Sequence, residues 1–177
     1  MPTNKIETYL KKIIKRKVDE IVKTYEREVL SVSAGKTYDV IHEYCIHACP
    51  NTSNYNYKKP LFITFRKSHG GMMERLYKIE DEIVLDPHSP HVEDEIKNSN
   101  YKFQRRLINY IKDRKKEWKF EVQEKFKFYI LSEIGQIELK HCPKPKGGNG
   151  PGPRYYSLSE LLSGKKEVVV ESNKSSS

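Results

Sequence analysis

Cysteine and tryptophan are scarce in this chain of 177 residues, which has three of the former and one of the latter. Cys45, Cys49 and Cys142 cannot all pair with one another, so a disulfide framework is excluded. No apolar run approaches the roughly 20 residues needed to cross a bilayer, and no apolar leader opens the chain. The expectation is a cytoplasmic protein with no membrane partner. The glycine-rich loop ending in Lys-Ser/Thr that cradles nucleotide phosphates is also missing, and Gly70-Gly71 reads as a turn only. Acidic residues are outnumbered, 24 against 33 basic ones, for a formal charge of +9 and a pI near 9.3. That balance favours a polyanionic partner.

What is present is organised around residues 60–85. Leu61, Ile63 and Phe65 alternate with Phe62, Thr64 and Arg66, the period-2 pattern of a strand with one buried face. Lys67 to Gly71 then ends in Gly-Gly, which supplies positive φ angles for a reversal, and a β-rich run resumes from Met72 to Ile79. An antiparallel hairpin with a basic tip carrying His69 is expected.

Upstream, Ile6, Leu10, Ile13, Ile14, Val18, Ile21, Val22, Tyr25 and Val29 fall at helical spacing, predicting an amphipathic helix over residues 1–30. Such a helix packs on its own domain or on a second copy of itself. Thr37 to His47 alternates as a strand that Pro50 ends. Residues 51–59 read as a loop, where Tyr55 and Tyr57 beside Lys58 and Lys59 supply what a base-stacking surface needs. The alternative is that both tyrosines fold back on the rim of the core.

Charge then reverses along the chain. Residues 80–95 hold seven acidic side chains and no Lys or Arg; residues 97–119 hold nine basic ones against Asp113 and Glu117. In a helix, Phe103, Leu107, Tyr110, Ile111 and Trp118 form the apolar face and Lys102, Arg105, Arg106 and Lys116 a basic ridge. The ridge lies along a phosphate backbone, or the acidic stretch neutralises it from within. Phe126 to Leu131 reads as a strand, Ile137 to Leu139 as a short second one after a turn at Gly135. Residues 141–153 pack four prolines and four glycines into a connector. Ser157 caps a short helix through Leu162, residues 167–170 are expected to close the sheet, and residues 171–177 read as a disordered tail.

His42, Cys45, His47 and Cys49 raise the question of zinc, with His141 and Cys142 as a distant pair. Their spacing does not match the paired ligands of a tetrahedral site, so no metal is expected. Asp86 with Glu117 and Lys119, an E-x-K, resembles the restriction-like nuclease pattern, but at the end of a predicted helix and not on a strand. Cys45 or Cys49 as a nucleophile would need a neighbouring histidine; burial as inert thiols is the other reading.

The order TYDVIHEYCIHACP, PLFITFR, MERLYKIEDEIVL, FKFYIL and RYYSLSELL, over residues 37–162, resembles the PUA-like superfamily of small barrels that includes EVE, YTH and ASCH domains. The resemblance implies a reader of nucleic acid, often of a modified base, of the kind found beside microbial restriction or defence systems. Carried over by position, Phe65, Arg66, Tyr77 and Tyr155 would stand near the base pocket. The tryptophan-rich cage of such readers has no counterpart, because Trp118 sits on the apolar face of the predicted helix.

The expected fold is therefore α+β: a small curved antiparallel sheet or PUA-like barrel over residues 31–170, with the N-terminal amphipathic helix and the basic mid-chain helix. The expected function is non-catalytic binding of DNA or RNA, without a cofactor, through the residues above together with Arg154 beside Tyr155. A Mg²⁺-dependent nuclease and a structural subunit that forms a homodimer through Ile13 and Ile21 are the alternatives.

Overall fold

The central hairpin forms as its alternation and its glycines require. In the computed structural model, β3 (Phe62–Arg66) turns through Gly70 and Gly71, at φ +80° and +70°, into β4 (Met73–Leu85). The pair runs antiparallel from Phe62 opposite Lys78 to Arg66 opposite Met73. The structure describes residues 12, 14, 15, 29–55, 57, 60–117, 119, 120 and 125–170. The expected helix over residues 1–30 is contradicted at its end, where Val29 and Leu30 belong to the strand Val29–Ser33; apart from these and Lys12, Ile14 and Lys15 it lies outside the described residues, as do Lys58, Lys59, Trp118 and the tail.

Around the hairpin stand β1 (Val29–Ser33), β2 (Ile46–Pro50), β5 (Phe126–Glu138) and β7 (Arg154–Tyr156). They complete a six-stranded sheet in the order β2-β5-β4-β3-β1-β7, antiparallel except where β1 runs parallel to β3. The terminal strands β2 and β7 do not pair with each other, so the expected barrel is not closed. Pro50 stands at the end of an edge strand, where a missing N–H breaks no central ladder. Among the described residues from Val29 onward four α-helices accompany the sheet: α1 (Tyr38–Tyr44), α2 (Val92–Lys97), α3 (Gln104–Glu117) and α4 (Leu158–Leu162).

Several expectations need correction. Residues 38–44 are helical, not a strand. Val40, Ile41 and Tyr44 also satisfy helical spacing, and over seven residues the two periods cannot be separated. Packing decides between them, with Val40 and Tyr44 joining the cluster around α3 and Ile41 the interior of the sheet. The β3 strand buries both faces: Ile63 and Phe65 on one, Thr64 and Arg66 on the other. The strand expected to end at Ile79 runs on through Leu85, and α2 begins at Val92, so the acidic stretch of residues 80–95 is divided between a strand and a helix. Residues 167–168 form β8 (Glu167–Val168), which pairs in parallel with β6 (Lys144–Pro145) as a separate two-stranded sheet and does not extend the main one.

Gly135 does not reverse the chain either. β5 continues past it, and between the pairs Ile79–Leu131 and Tyr77–Gln136 it accommodates extra residues as a wide bulge. The Gly135 N–H donates to Ser132 Oγ at 2.9 Å, and Gln136 Nε2 donates to the Ser132 and Glu133 carbonyls at 3.2 and 3.1 Å. A Cβ at Gly135 would lie 2.9 Å from Ser132 Oγ, so the closed bulge needs glycine there. The ejected Ile134 is 97% exposed.

The bulges roll the sheet. His47 of β2 and Phe65 of β3 have ring centroids 5.2 Å apart although β5 and β4 lie between their strands. In a flat sheet those strands would stand roughly 14 Å apart. The inside of the roll holds Leu30, Val32, Ile41, Ile63, Tyr77 and Tyr129; the outside packs under α2 and α3 at one end and under α4 at the other.

Candidate nucleic-acid interface

The roll draws aromatic side chains from distant segments into one cluster. Tyr129 of β5 stacks on Tyr57 at 6.2 Å and 29° and on His47 at 6.1 Å and 19°, while Tyr55 meets Tyr57 edge-on at 6.1 Å. Tyr55, Tyr57 and Tyr155 are half-buried and pack against the interior; His47, Phe65, Tyr77 and Tyr129 are buried beneath them. The structure thus brings together Tyr55, Tyr57, Phe65, Tyr77 and Tyr155, five of the residues the sequence nominated. Within this cluster His47 Nδ1 and Tyr129 OH are buried with no hydrogen-bond partner among the described residues.

Burial also sets the protonation of this cluster. It pushes the His47 imidazole down to about 3, aided by Arg114, and the hydroxyls of Tyr57 and Tyr129 above the ordinary tyrosine range. His47 is therefore neutral at pH 7, a hydrogen-bonding group and not a cation. Sequence reasoning weighed His47 as a metal ligand and left Tyr129 inside an apolar strand. The two stand opposite each other in the β2–β5 pairing, a register that no local signal in the sequence announces.

Arg66 goes elsewhere. It is fully buried and donates to Asn149 Oδ1 at 3.0 Å, to Ser31 O and Oγ at 2.7 and 3.0 Å, and to Gly150 O and Gly152 O at 3.1 and 2.6 Å. Its donors are spent on neutral acceptors, which makes it a clamp on the glycine-rich segment. The expected flexible connector is thereby pinned over the end of β1. Arg154, at the start of β7, is half-buried.

At the hairpin tip His69 is exposed, while Lys67 is tied to Glu74 at 2.6 Å and lies 5.1 Å over the Tyr38 ring. Tyr38 donates to the other oxygen of Glu74 at 2.9 Å, and the two bonds hold that carboxyl below the ordinary glutamate range. One turn of α1 further, His42 Nδ1 faces Tyr77 OH at 2.7 Å and Arg75 Nη1 at 3.3 Å. The guanidinium can only donate, so Nδ1 is the accepting nitrogen; burial and Arg75 together lower the imidazole's pKa. None of this polar group was legible while residues 38–44 were read as a strand.

Half of the basic ridge, Arg106 and Lys116, is neutralised. Arg106 turns inward, 2.9 Å from Glu133 on the β5 bulge, and its Nη2 donates to Leu131 O at 3.3 Å. Lys112 pairs with Glu93 of α2 at 2.9 Å and Lys116 with Asp113 at 3.3 Å. Lys102 and Arg105 are exposed and form no ion pair among the described residues. Among the described residues the acidic stretch pairs with Lys112 of the helix and, through Glu82, with Lys127 at 3.1 Å, but with no residue of the ridge itself, whose partners are Glu133 and Asp113.

No group of three His, Cys, Asp or Glu side chains that could hold a metal ion occurs among the described residues. Asp86 accepts from the His88 N–H at 2.8 Å in a turn, Glu117 ends α3, and Lys119 follows in a left-handed conformation at φ +47°. The E-x-K is therefore on a helix end and not on a strand. Burial raises both Cys45 and Cys49, the latter up to about 12, which leaves them protonated and poor nucleophiles. No helix among the described residues is long and apolar enough to cross a membrane.

Comparison with protein-family models, with curated proteins and with solved structures found no match to this chain.

Proposed function

We propose that the chain is a non-catalytic nucleic-acid-binding module that takes an unpaired base against Tyr55 and Tyr57. One observation carries the reading: two buried polar atoms, His47 Nδ1 and Tyr129 OH, have no hydrogen-bond partner among the described residues and stand in an aromatic cluster whose outer rings are half-exposed. An unpartnered buried polar group costs about 1–3 kcal/mol, and the edge of a heteroaromatic base carries both donors and acceptors. Stacking on an aromatic ring is worth about 1–3 kcal/mol per base. Arg154 of β7, and Lys58 and Lys59 as the sequence neighbours of Tyr57, would meet the phosphates. Reading of a modified base, and service in a restriction or defence system, belong to this proposal as what the PUA-like resemblance implies.

The test is binding of labelled single- and double-stranded DNA and RNA across a salt series, with EDTA or with Mg²⁺. The expected result is salt-sensitive binding that favours unpaired bases, leaves the strand uncut and weakens about 5- to 100-fold on Tyr57→Ala. Absence of binding overturns the reading. Mg²⁺-dependent cleavage replaces it with the nuclease.

A further inference from the structure

Apart from the aromatic cluster, a groove of about 440 Å³ opens between α1, α3 and the β5 bulge. Its volume falls within the roughly 300–1,000 Å³ of small-molecule sites. The Arg106–Glu133 pair, at 2.9 Å, closes one part of it, with Glu133 carried there on the β5 bulge. Four other charged side chains line the groove without an ion pair among the described residues: Lys102, in the turn before α3, and Arg105, in its first turn, with Glu43 and Glu80, from α1 and β4. Tyr44, Phe103 and Asn109 complete the lining.

The mixture of signs selects the ligand. A bare anion would use the two cations and suffer the two carboxylates, and a cation the reverse. A ligand that satisfies all four carries an anionic group at one end and a hydrogen-bond-donating edge at the other, joined by a body flat enough to lie against aromatic rings. A nucleotide has this build. Its phosphate answers Lys102 and Arg105, and its base edge answers a glutamate. Among the bases, guanine presents two adjacent donors, N1–H and the 2-amino group, to both oxygens of one carboxylate, where cytosine presents its amino group and uracil a single imide N–H.

We infer that this groove binds a nucleotide, phosphate on Lys102 and Arg105 and base edge on Glu43 or Glu80, with guanine preferred. The site does not depend on the aromatic cluster, so Tyr57→Ala leaves it intact. The same chemistry is offered by a free nucleotide and by a guanylate within a strand.

Titration calorimetry on the full chain at low salt, with GMP, guanosine, CMP and UMP, tests this. GMP is expected to bind at least about tenfold more tightly than guanosine or UMP. Lys102→Ala with Arg105→Ala should remove the advantage of GMP over guanosine, and Glu43→Gln with Glu80→Gln the advantage of GMP over UMP. All four side chains are exposed enough for circular dichroism to verify that the variants fold. A trinucleotide with a central guanylate that binds tenfold more tightly than GMP assigns the site to a strand; equal affinity assigns it to the free nucleotide. No binding of GMP at millimolar concentration, or binding that neither double variant changes, overturns the inference. Loss of nucleotide binding on Tyr57→Ala would also overturn it, by placing the ligand on the other surface.

Discussion

Arg66 and Asn149 are joined by a 3.0 Å hydrogen bond from Nε to Oδ1, tying the last residue of β3 to a loop 83 residues later. The same asparagine donates to the Lys67 carbonyl at 3.1 Å and lies against Gly71, where an added Cβ would come within 2.7 Å of its side chain. A buried guanidinium thus replaces a hydrophobic core for a segment that has no apolar side chains to contribute.

Removing that fork strands the carbonyls of Ser31, Gly150 and Gly152. Arg66→Met is expected to lower stability by about 3 kcal/mol, and Arg66→Lys to recover little of it, because an ammonium cannot span acceptors laid out for a planar fork. Urea denaturation measures the loss. Limited proteolysis should show cleavage within residues 147–153 of the variant before the rest of the chain opens.

The β5 bulge depends on Gly135. Gly135→Ala brings a methyl group against Ser132 Oγ at 2.9 Å and Cβ at 3.1 Å, and should cost about 1–3 kcal/mol. Ser132→Ala removes the nearer atom, so the double variant should be less destabilised than the sum of the single ones, a coupling that a double-mutant cycle on thermal or urea melts reads directly.

His47 makes stability depend on pH. Its imidazole titrates near 6.5 unfolded and about 3 folded, because burial disfavours the charged form. The unfolded chain then binds the proton first, so this contribution is fully present above pH 6.5 and is lost as pH falls towards 3. Between pH 6.5 and about 5, above the range of the ordinary carboxylates, the wild type should lose about 1 kcal/mol per pH unit more than His47→Phe. Urea midpoints measured across that window check the difference.

Lys119 sits at φ +47° with an exposed side chain. A left-handed backbone costs an ordinary residue roughly 1–2 kcal/mol, part of which glycine returns as unfolded-state entropy. Lys119→Gly is therefore expected to raise stability by about 0.5–1 kcal/mol, seen as a higher melting temperature.

The hairpin was legible because every signal for it is local: alternation over residues 61–66, then two adjacent glycines with positive φ. The α4 cap was legible for the same reason, since Ser157 Oγ accepts the Glu160 N–H at 3.1 Å within one turn. Helix α1 was not, because its β-branched and aromatic residues fit both periods and only its burial against α3 and inside the roll separates them. Of the candidate contacts, the aromatic residues were recognised as a class, whereas His47 and Tyr129 became their neighbours only when the sheet curled. Arg66 was read as standing near a base pocket, because nothing near it in sequence announces the five acceptors that surround it.

Composition, periodicity and turn chemistry by themselves determined an α+β chain with a central hairpin, a basic mid-chain helix and an aromatic loop, since each rests on forces acting within about ten residues. Tertiary structure alone decided which charges are cancelled, which face of β3 holds a guanidinium, and where β5 bulges to build a groove. Those outcomes turn on pairings between segments tens of residues apart, whose register is set by the packing of the whole sheet.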